Sequence, residues 1–172
     1  MGSFMPYKNV ETLVRAAGLL PDYDLHLMSR ISDRERLLLE GIDPAARLVF
    51  HNGASDEEYR AVLSHATALV SASRAEGFGI PLVEAMSQST PIVVSDIPVF
   101  REIGGEAGLY FDSEEPEQLA QRVRQLEDPA VFLEHARRSV TQAARFSWER
   151  SSETLWTLLA EEGSRRSPRR IR

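Results

Sequence analysis

Two carboxylates, Glu76 and Glu84, stand eight positions apart in the segment SRAEGFGIPLVEAM, residues 73–86. An ionised carboxylate only accepts hydrogen bonds, so each is suited to binding a pair of hydroxyl groups. Between them, Gly77 and Gly79 allow a ligand to approach the main chain closely. Free N–H groups at the start of a helix bind anions and hydroxyls. The segment therefore predicts a site for a sugar attached to a phosphorylated ribose.

The segment follows a predicted strand, TALVSA (67–72), and leads into a predicted helix, PLVEAMSQ (81–88). Pro81 suits the first turn of this helix, where a missing N–H costs nothing. Glu76 precedes the turn, and Glu84 lies about one turn inside the helix. Because open parallel sheets bind ligands at the carboxyl ends of their strands, we expect the segment to lie at the ligand-binding edge.

Short apolar runs alternate with stretches of helical spacing along the first two thirds of the chain. The predicted strands are residues 24–28, 47–51, 67–72, 91–95 and 107–111, and the predicted helices are 9–20, 32–41, 55–66, 81–88 and 96–104. Ser55 is the expected cap of the helix over 55–66. Beyond Asp112 the pattern is helical only. The alternation predicts an α/β fold, a doubly wound parallel sheet with helices on both faces and further helices at the C-terminal end.

The charge of the chain is unevenly distributed. Its 172 residues include no cysteine and carry a net charge of −6, yet the last ten residues, GSRRSPRRIR, hold five arginines. The body therefore lacks a basic stripe, and we expect no nucleic-acid partner. We interpret residues 163–172 as a disordered tail behind a domain of residues 1–162. Attraction of this tail to anionic lipids is the open alternative.

The same letters admit other interpretations. GFGIPL begins like the dinucleotide fingerprint G-x-G-x-x-G, but Leu82 occupies the third glycine position, which makes a nicotinamide site improbable. The two glutamates could be a glycosidase acid and nucleophile, although nothing in the sequence specifies the apolar pocket that this chemistry needs. Glu84 alone could merely complement the helix dipole. These alternatives explain single residues better than the whole segment.

EGFGIPLVE, residues 76–84, resembles the E-x7-E signature of retaining glycosyltransferases of family four, also called glycosyl transferases group 1. The signature belongs to the C-terminal, donor-binding domain of their GT-B fold. Flanking segments extend the resemblance from about Gly2 to Trp156, and include GSFMPYKNVETLVRA and STPIVVSDIPVFREIGGEAGLYF. The resemblance implies a Rossmann-like domain whose own first strand is missing ahead of Met1.

The resemblance also implies a role for each residue of the site. Lys8 would neutralise the donor diphosphate, and Glu76 would bind hydroxyls of the donor hexose, so these two are the candidate catalytic residues. Glu84 would accept hydrogen bonds from the ribose. The remaining donor-binding candidates are Phe78, Gly79 and Ile80, through main-chain N–H groups, and Ser3, which stands where many relatives have an arginine.

The activity implied by the resemblance is transfer of a mannose- or glucose-type hexose from a nucleoside diphosphate sugar, with retention of configuration. GDP-mannose is the first choice of donor and a UDP-sugar the second, the acceptor is a sugar or lipid-linked sugar, and neither a metal nor a cofactor is expected. A missing N-terminal GT-B domain would complete the enzyme. We expect a cytoplasmic protein, with contact to the inner membrane face left open. The alternative is a non-catalytic module that binds nucleotide sugars or partner proteins.

Overall fold

In the computed structural model, which describes residues 5–165, strands and helices alternate as the sequence predicts. The described strands are β1 (Leu25–Leu27), β2 (Leu48–Phe50), β3 (Leu69–Ser71), β4 (Ile92–Ser95) and β5 (Gly108–Phe111). The described helices are α1 (Val10–Gly18), α2 (Asp33–Glu40), α3 (Asp56–His65), α4 (Ile80–Ser87), α5 (Pro98–Gly104), α6 (Pro116–Gln125), α7 (Pro129–Ala143) and α8 (Trp148–Arg165). Ser3 and the end of the predicted tail, residues 166–172, lie outside the described residues.

Strand pairing is parallel throughout the described part of the chain, but the strands form two sheets instead of the single sheet expected. One sheet pairs β1 with β2, and the other has the order β3-β4-β5. Registers include Leu25 opposite Leu48, and Val70 opposite Val93. A cavity of about 1130 Å³ lies between β1 and β3 and is lined by residues of both. The sheets are therefore separated where a continuous sheet would join them.

The strand β4 shows why the fold is doubly wound. Its four residues are fully buried, because helices cover both faces of its sheet. Ile92 and Val94 point to a core cluster that includes residues of α4, α5 and α7. Val93, on the opposite face, packs in a cluster with residues of α1 and α6. The continuous apolar run IVV is typical of such a strand, and the predicted α/β class is confirmed.

Local signals position the helix ends. The Ser55 hydroxyl accepts a hydrogen bond of 3.2 Å from the Glu58 N–H, which confirms the predicted cap of α3. Ser32 and Glu35 form a capping box at the start of α2. These caps set the first residues of α2 and α3, the helices that follow β1 and β2 in the chain.

The last helix, α8, differs from the others because its described side chains, residues 148–162, are all exposed. Trp148 and Trp156 are 78% and 71% exposed, and three leucines on the same helix are more than half exposed. Within residues 5–165, no helix combines the length and the apolar character that crossing a membrane requires.

Candidate functional site

The junction between β3 and α4 has an unusual backbone at Gly79. This residue precedes α4 with φ of 95°, in the left-handed region that side chains disfavour. A Cβ atom at this position would lie 3.1 Å from Cε1 of Phe100. Pro81 has no N–H, and the Leu82 N–H donates to the Gly79 carbonyl at 2.9 Å. The Ile80 N–H has no acceptor within the helix because of its place at the helix start, so the junction presents main-chain donors.

Lys8 reaches this junction from the opposite end of the sequence. Its ammonium forms an ion pair with Oε1 of Glu76, and the two side chains are 24% and 14% exposed. Arg74 holds the turn that carries Lys8: the Arg74 N–H donates to the Tyr7 carbonyl at 2.8 Å, and its Nη1 donates to the Pro6 carbonyl at 3.1 Å. The fold therefore brings together two residues that are 68 positions apart.

The carboxylate of Glu76 is oriented by a second donor. The Ser73 hydroxyl donates to Oε1 of Glu76 at 2.9 Å, and the Ser71 hydroxyl lies 3.2 Å from that of Ser73. Ser73 is only 1% exposed. Among the described residues, the hydrogen bonds found for this carboxylate all go to Oε1. The other oxygen, Oε2, is consequently the one available to accept from a ligand hydroxyl.

Glu84 is oriented by a tyrosine from a neighbouring helix. The Tyr59 hydroxyl, on α3, donates to Oε2 of Glu84 at 3.1 Å. Burial raises the pKa of Tyr59 well above its ordinary value, and the negative charge of Glu84 raises it further. The phenol therefore stays protonated and remains a donor at neutral pH.

The side chains of Phe78 and Ile80 lie partly in solvent at the start of α4. Their side chains are 44% and 47% exposed, and the Phe78 ring packs edge-on against Phe146 with centroids 5.7 Å apart. Neither side chain belongs to the buried core. This arrangement is compatible with the expected role of their N–H groups.

Three polar side chains from separate elements are linked near the cavity: His26 on β1, His51 just after β2 and Glu58 on α3. Nδ1 of His51 is 3.0 Å from Oε1 of Glu58, and its Nε2 is 2.9 Å from Nδ1 of His26. Burial, together with the neighbouring His51, lowers the pKa of His26. Within residues 5–165 no group of three His, Cys, Asp or Glu side chains is arranged to hold a metal ion.

Most of the predicted site residues meet at one cavity. Its lining includes Lys8, Glu76, Phe78, Gly79 and Ile80. Glu84 is absent from the lining, but its partner Tyr59 is part of it. Ser3 lies outside the described residues.

Sequence reasoning missed three residues that position the site. Ser73 stands in the segment singled out by the sequence, three residues before Glu76, and its spacing was a usable signal. No sequence signal links Tyr59 to Glu84 or Arg74 to the turn of Lys8, because each contact joins separate elements.

Comparison with known proteins places this geometry in a family. The family model described as "Glycosyl transferases group 1" matches residues 1–146. The serotype-specific mannosyltransferase WbdA of Escherichia coli is 35% identical over 109 residues, which are 63% of this chain and 13% of that protein. The O-antigen chain mannosyltransferase RfbU of Salmonella typhimurium is 28% identical over 165 residues, or 94% of this chain and 46% of that protein.

A solved structure extends the likeness to the fold. The sucrose-phosphate synthase of Thermosynechococcus elongatus aligns with a TM-score of 0.80 and 27% identity over 95% of this chain and 44% of that one. The chain thus spans less than half the length of each of these three proteins. Its fold is the Rossmann-like half of a GT-B structure, and the partial coverage fits the C-terminal half. With the family model spanning both glutamates and Lys8, this chain belongs to the glycosyl transferases group 1 family.

Proposed function

We propose that this chain is the donor-binding half of a retaining hexosyltransferase that takes its hexose from a nucleoside diphosphate sugar. The observation that carries the proposal is the meeting of Lys8 with Glu76 beside the first turn of α4. A cation, a carboxylate and main-chain donors are the groups that a sugar diphosphate requires. The chain supplies all three at one cavity.

The diphosphate would lie against Lys8 and the start of α4. The N-terminal end of a helix carries a partial positive charge, and its free N–H groups point towards an anion. In this structure the ammonium of Lys8 pairs with Glu76, and both side chains are partly shielded from solvent. Partial burial strengthens the attraction of Lys8 for an incoming diphosphate, since the effective dielectric constant is lower than in water.

The two glutamates would bind different parts of the donor, the hexose and the ribose. Oε2 of Glu76 would accept from the hexose hydroxyls, because Lys8 and Ser73 both bind Oε1. Glu84, one turn into α4, would accept from the ribose, with Tyr59 fixing its orientation. Charged hydrogen bonds of this kind are stronger than neutral ones and therefore determine both affinity and the orientation of the donor.

The barrier to transfer would fall mainly through electrostatics. As the glycosidic bond breaks, negative charge develops on the departing diphosphate, where Lys8 and the N–H groups of Gly79 and Ile80 would stabilise it. The scheme needs neither a cofactor nor a metal ion. The acceptor, a sugar or lipid-linked sugar, would approach from an N-terminal GT-B domain.

GDP-mannose is the donor that we propose first, with a UDP-sugar second. The support is that two similar proteins are named mannosyltransferases. A lipid-linked acceptor would place the enzyme in the cytoplasm, at the inner face of a membrane. These assignments concern the whole enzyme, of which this chain supplies the donor site.

Calorimetric titration of the chain with GDP-mannose, UDP-glucose and GDP tests the proposal. We expect GDP-mannose to bind, and Lys8→Gln to weaken its binding roughly ten- to hundredfold, since a charged hydrogen bond contributes about 1.5–3 kcal/mol. Arg36→Gln is the control, because Arg36, on α2, pairs with Glu40 and lies over the Phe50 ring, and none of these residues lines the cavity. Failure of the chain to bind any of the three ligands would overturn the proposal. A second experiment gives a longer protein that contains the chain both GDP-mannose and a lipid-linked acceptor. If GDP-mannose binds but no GDP is released, the result would favour a non-catalytic module.

A further inference from the structure

Lys8 stands in a turn that is too short to hold its own position. A single 3₁₀ turn covers Pro6–Lys8, and none of its three residues is buried. Two main-chain hydrogen bonds close it: the Lys8 N–H donates to the Met5 carbonyl at 2.9 Å, and the Asn9 N–H donates to the Pro6 carbonyl at 3.2 Å. Since one turn of helix is unstable by itself, the place of Lys8 depends on bonds between this turn and the rest of the fold.

Asn9, the residue that follows the turn, makes one of these bonds. Its backbone has φ of 49°, in the left-handed region that asparagine adopts more readily than most residues. Its side-chain amide, Nδ2, donates to the Ser113 carbonyl at 2.6 Å, across 104 residues of sequence. Asn9 is only 5% exposed, and its carbonyl accepts from the Thr12 N–H in the first turn of α1. The end of the turn is therefore tied to the loop that follows β5.

Arg74 ties the body of the turn to the same loop. Besides its bonds to the Tyr7 and Pro6 carbonyls, its guanidinium donates from Nε and Nη2 to the two carboxylate oxygens of Glu114, at 2.6 and 2.8 Å. A two-point pairing fixes the plane of the guanidinium as well as its distance. Arg74 and Glu114 are 47% and 57% exposed, so the pair adds little to the free energy of folding. Its consequence is geometric, because Glu114 sets the direction in which Arg74 reaches the turn.

The loop that receives both contacts is itself ordered. We define the support loop as residues 112–115, between β5 and α6. Within it the Glu114 N–H donates to Oδ1 of Asp112 at 3.0 Å, and the Asp112 N–H donates to Oε1 of Gln118, on α6, at 3.1 Å. Leu119, the next residue of α6, is 2% exposed in a core cluster. The support loop is thus a fixed point from which the turn of Lys8 can be held.

The residues that hold the turn stand behind the cavity wall. Lys8 and Glu76 are part of the cavity lining. Asn9, Arg74 and the support loop are not part of it. A ligand in the cavity would therefore meet Lys8, and the residues behind it would act on that ligand only through Lys8.

We propose that the support loop positions Lys8. Through Asn9 and Arg74 it keeps the ammonium beside Glu76, where the donor diphosphate would lie. The inference rests on the proposed function, because the diphosphate is the ligand proposed there for Lys8. Two attachments, one to the turn and one directly after it, restrain both translation and rotation of the turn. A displacement of about 1 Å can cost a reaction about a hundredfold in rate, so this restraint serves the site as well as the fold.

The first test follows the turn without any ligand. Glu114→Ala removes the partner of the guanidinium, and Asn9→Gly removes the side-chain amide while glycine keeps the left-handed backbone. Asp96→Ala is the matched control, because Asp96 forms a two-point pair with Arg101, with both bonds at 2.6 Å, and neither residue lines the cavity. Hydrogen exchange at the Lys8 amide, followed by NMR, should be roughly threefold or more faster in the two test variants, because local opening becomes easier, and unchanged in the control. An unchanged rate in both test variants would overturn the proposal.

The second test asks whether the support loop acts through Lys8. GDP carries the diphosphate without the hexose, and calorimetry measures its affinity for each variant, alone and combined with Lys8→Gln. We expect Glu114→Ala and Asn9→Gly each to weaken GDP binding roughly three- to tenfold, the effect of one hydrogen bond. Once Lys8 is replaced, each should change the affinity by less than about twofold, because the two positions act as one unit. Equal losses with and without Lys8 would show a general effect on the fold and overturn the positioning role.

The two tests separate this inference from the proposed function. A parent chain that binds neither GDP nor GDP-mannose would overturn the proposed function. In that case, faster exchange of the Lys8 amide in Glu114→Ala and Asn9→Gly would still show that the support loop holds the turn. Exchange at the parent rate would overturn the support loop whether or not a nucleotide binds.

Discussion

The phenol of Tyr59 donates a hydrogen bond of 3.1 Å to the carboxylate of Glu84 and so joins α3 to α4 across 25 residues of sequence. This bond occupies Oε2 of Glu84 and leaves Oε1 to a ligand. Since Tyr59 also lines the cavity, the pair connects the wall of the cavity to the helix that carries the second glutamate. Tyr59 is therefore a positioning residue for Glu84.

Tyr59→Phe should weaken the binding of GDP and GDP-mannose alike by about 1 kcal/mol, roughly fivefold, because Glu84 loses the group that orients it. Tyr110→Phe is the matched control, since the hydroxyl of the partly buried Tyr110 donates at 2.8 Å to the Gly105 carbonyl and Tyr110 is not part of the lining of this cavity. Isothermal calorimetry on both variants measures the difference. Equal losses in the two variants would mean that Tyr59 acts only on stability.

The partly buried tyrosines Tyr59 and Tyr110 predict that the protein loses stability at alkaline pH. Burial raises the pKa of Tyr59 and Tyr110 above the ordinary value of 10.0. Above about pH 10 the unfolded chain releases these protons while the folded chain keeps them, so the free energy of unfolding falls as pH rises through this range. Urea unfolding followed by circular dichroism at pH 8 and pH 11 measures the decrease.

Tyr59→Phe should make this alkaline decrease smaller, because one of the tyrosines with a raised pKa is then absent. The comparison uses the change between the two pH values in each protein, so a constant cost of the substitution cancels. An identical decrease in the variant and the parent protein would show that Tyr59 does not contribute.

Substitution of Glu76 and of Glu84, one at a time, should affect the affinities for GDP and GDP-mannose differently. Glu84→Ala should weaken GDP and GDP-mannose together by roughly 1–3 kcal/mol, since it would remove the proposed partner of the ribose. Glu76→Gln should leave GDP affinity nearly unchanged and weaken GDP-mannose, because Glu76 would contact only the hexose. Calorimetry with GDP and with GDP-mannose gives, for each ligand, the ratio of the variant's affinity to that of the parent protein. A GDP affinity that Glu84→Ala leaves intact would remove Glu84 from the site.

Gly79→Ala should reduce the free energy of unfolding by about 1–3 kcal/mol, the cost of holding a side chain in the left-handed region. The new methyl group would also press on the Phe100 ring, 3.1 Å away. Gly77→Ala is the control in the same loop, because a Cβ there meets nothing within 4 Å. Urea denaturation compares the two. Similar stability of both variants would contradict the strain assigned to Gly79.

Local patterns predicted the elements of this fold well. The run PIVVS indicates a buried strand because Ile92, Val93 and Val94 each face a hydrophobic core, whichever face of the sheet they point to. The cap at Ser55 was predictable because its partner, Glu58, is only three residues away. Signals that depend only on neighbouring residues can be read without knowing the fold.

Contacts between distant elements could not be derived in this way. The pattern around Glu76 predicts a carboxylate at the sheet edge, but only the family resemblance suggested Lys8 as its companion, 68 positions away. The link from Tyr59 to Glu84 depends on how α3 and α4 lie against each other. Such relationships are set by the packing of whole elements and leave no local periodicity.

The position of the tryptophans decides how unfolding of this protein can be observed. The chain's two tryptophans, Trp148 and Trp156, are both on α8 and both largely exposed. Intrinsic tryptophan fluorescence will therefore start near the emission of solvated indole and change little when the sheets and their cores unfold. The same property makes the emission a specific reporter of α8: a shift to shorter wavelength on addition of another protein or a membrane surface would signal that this helix has become covered.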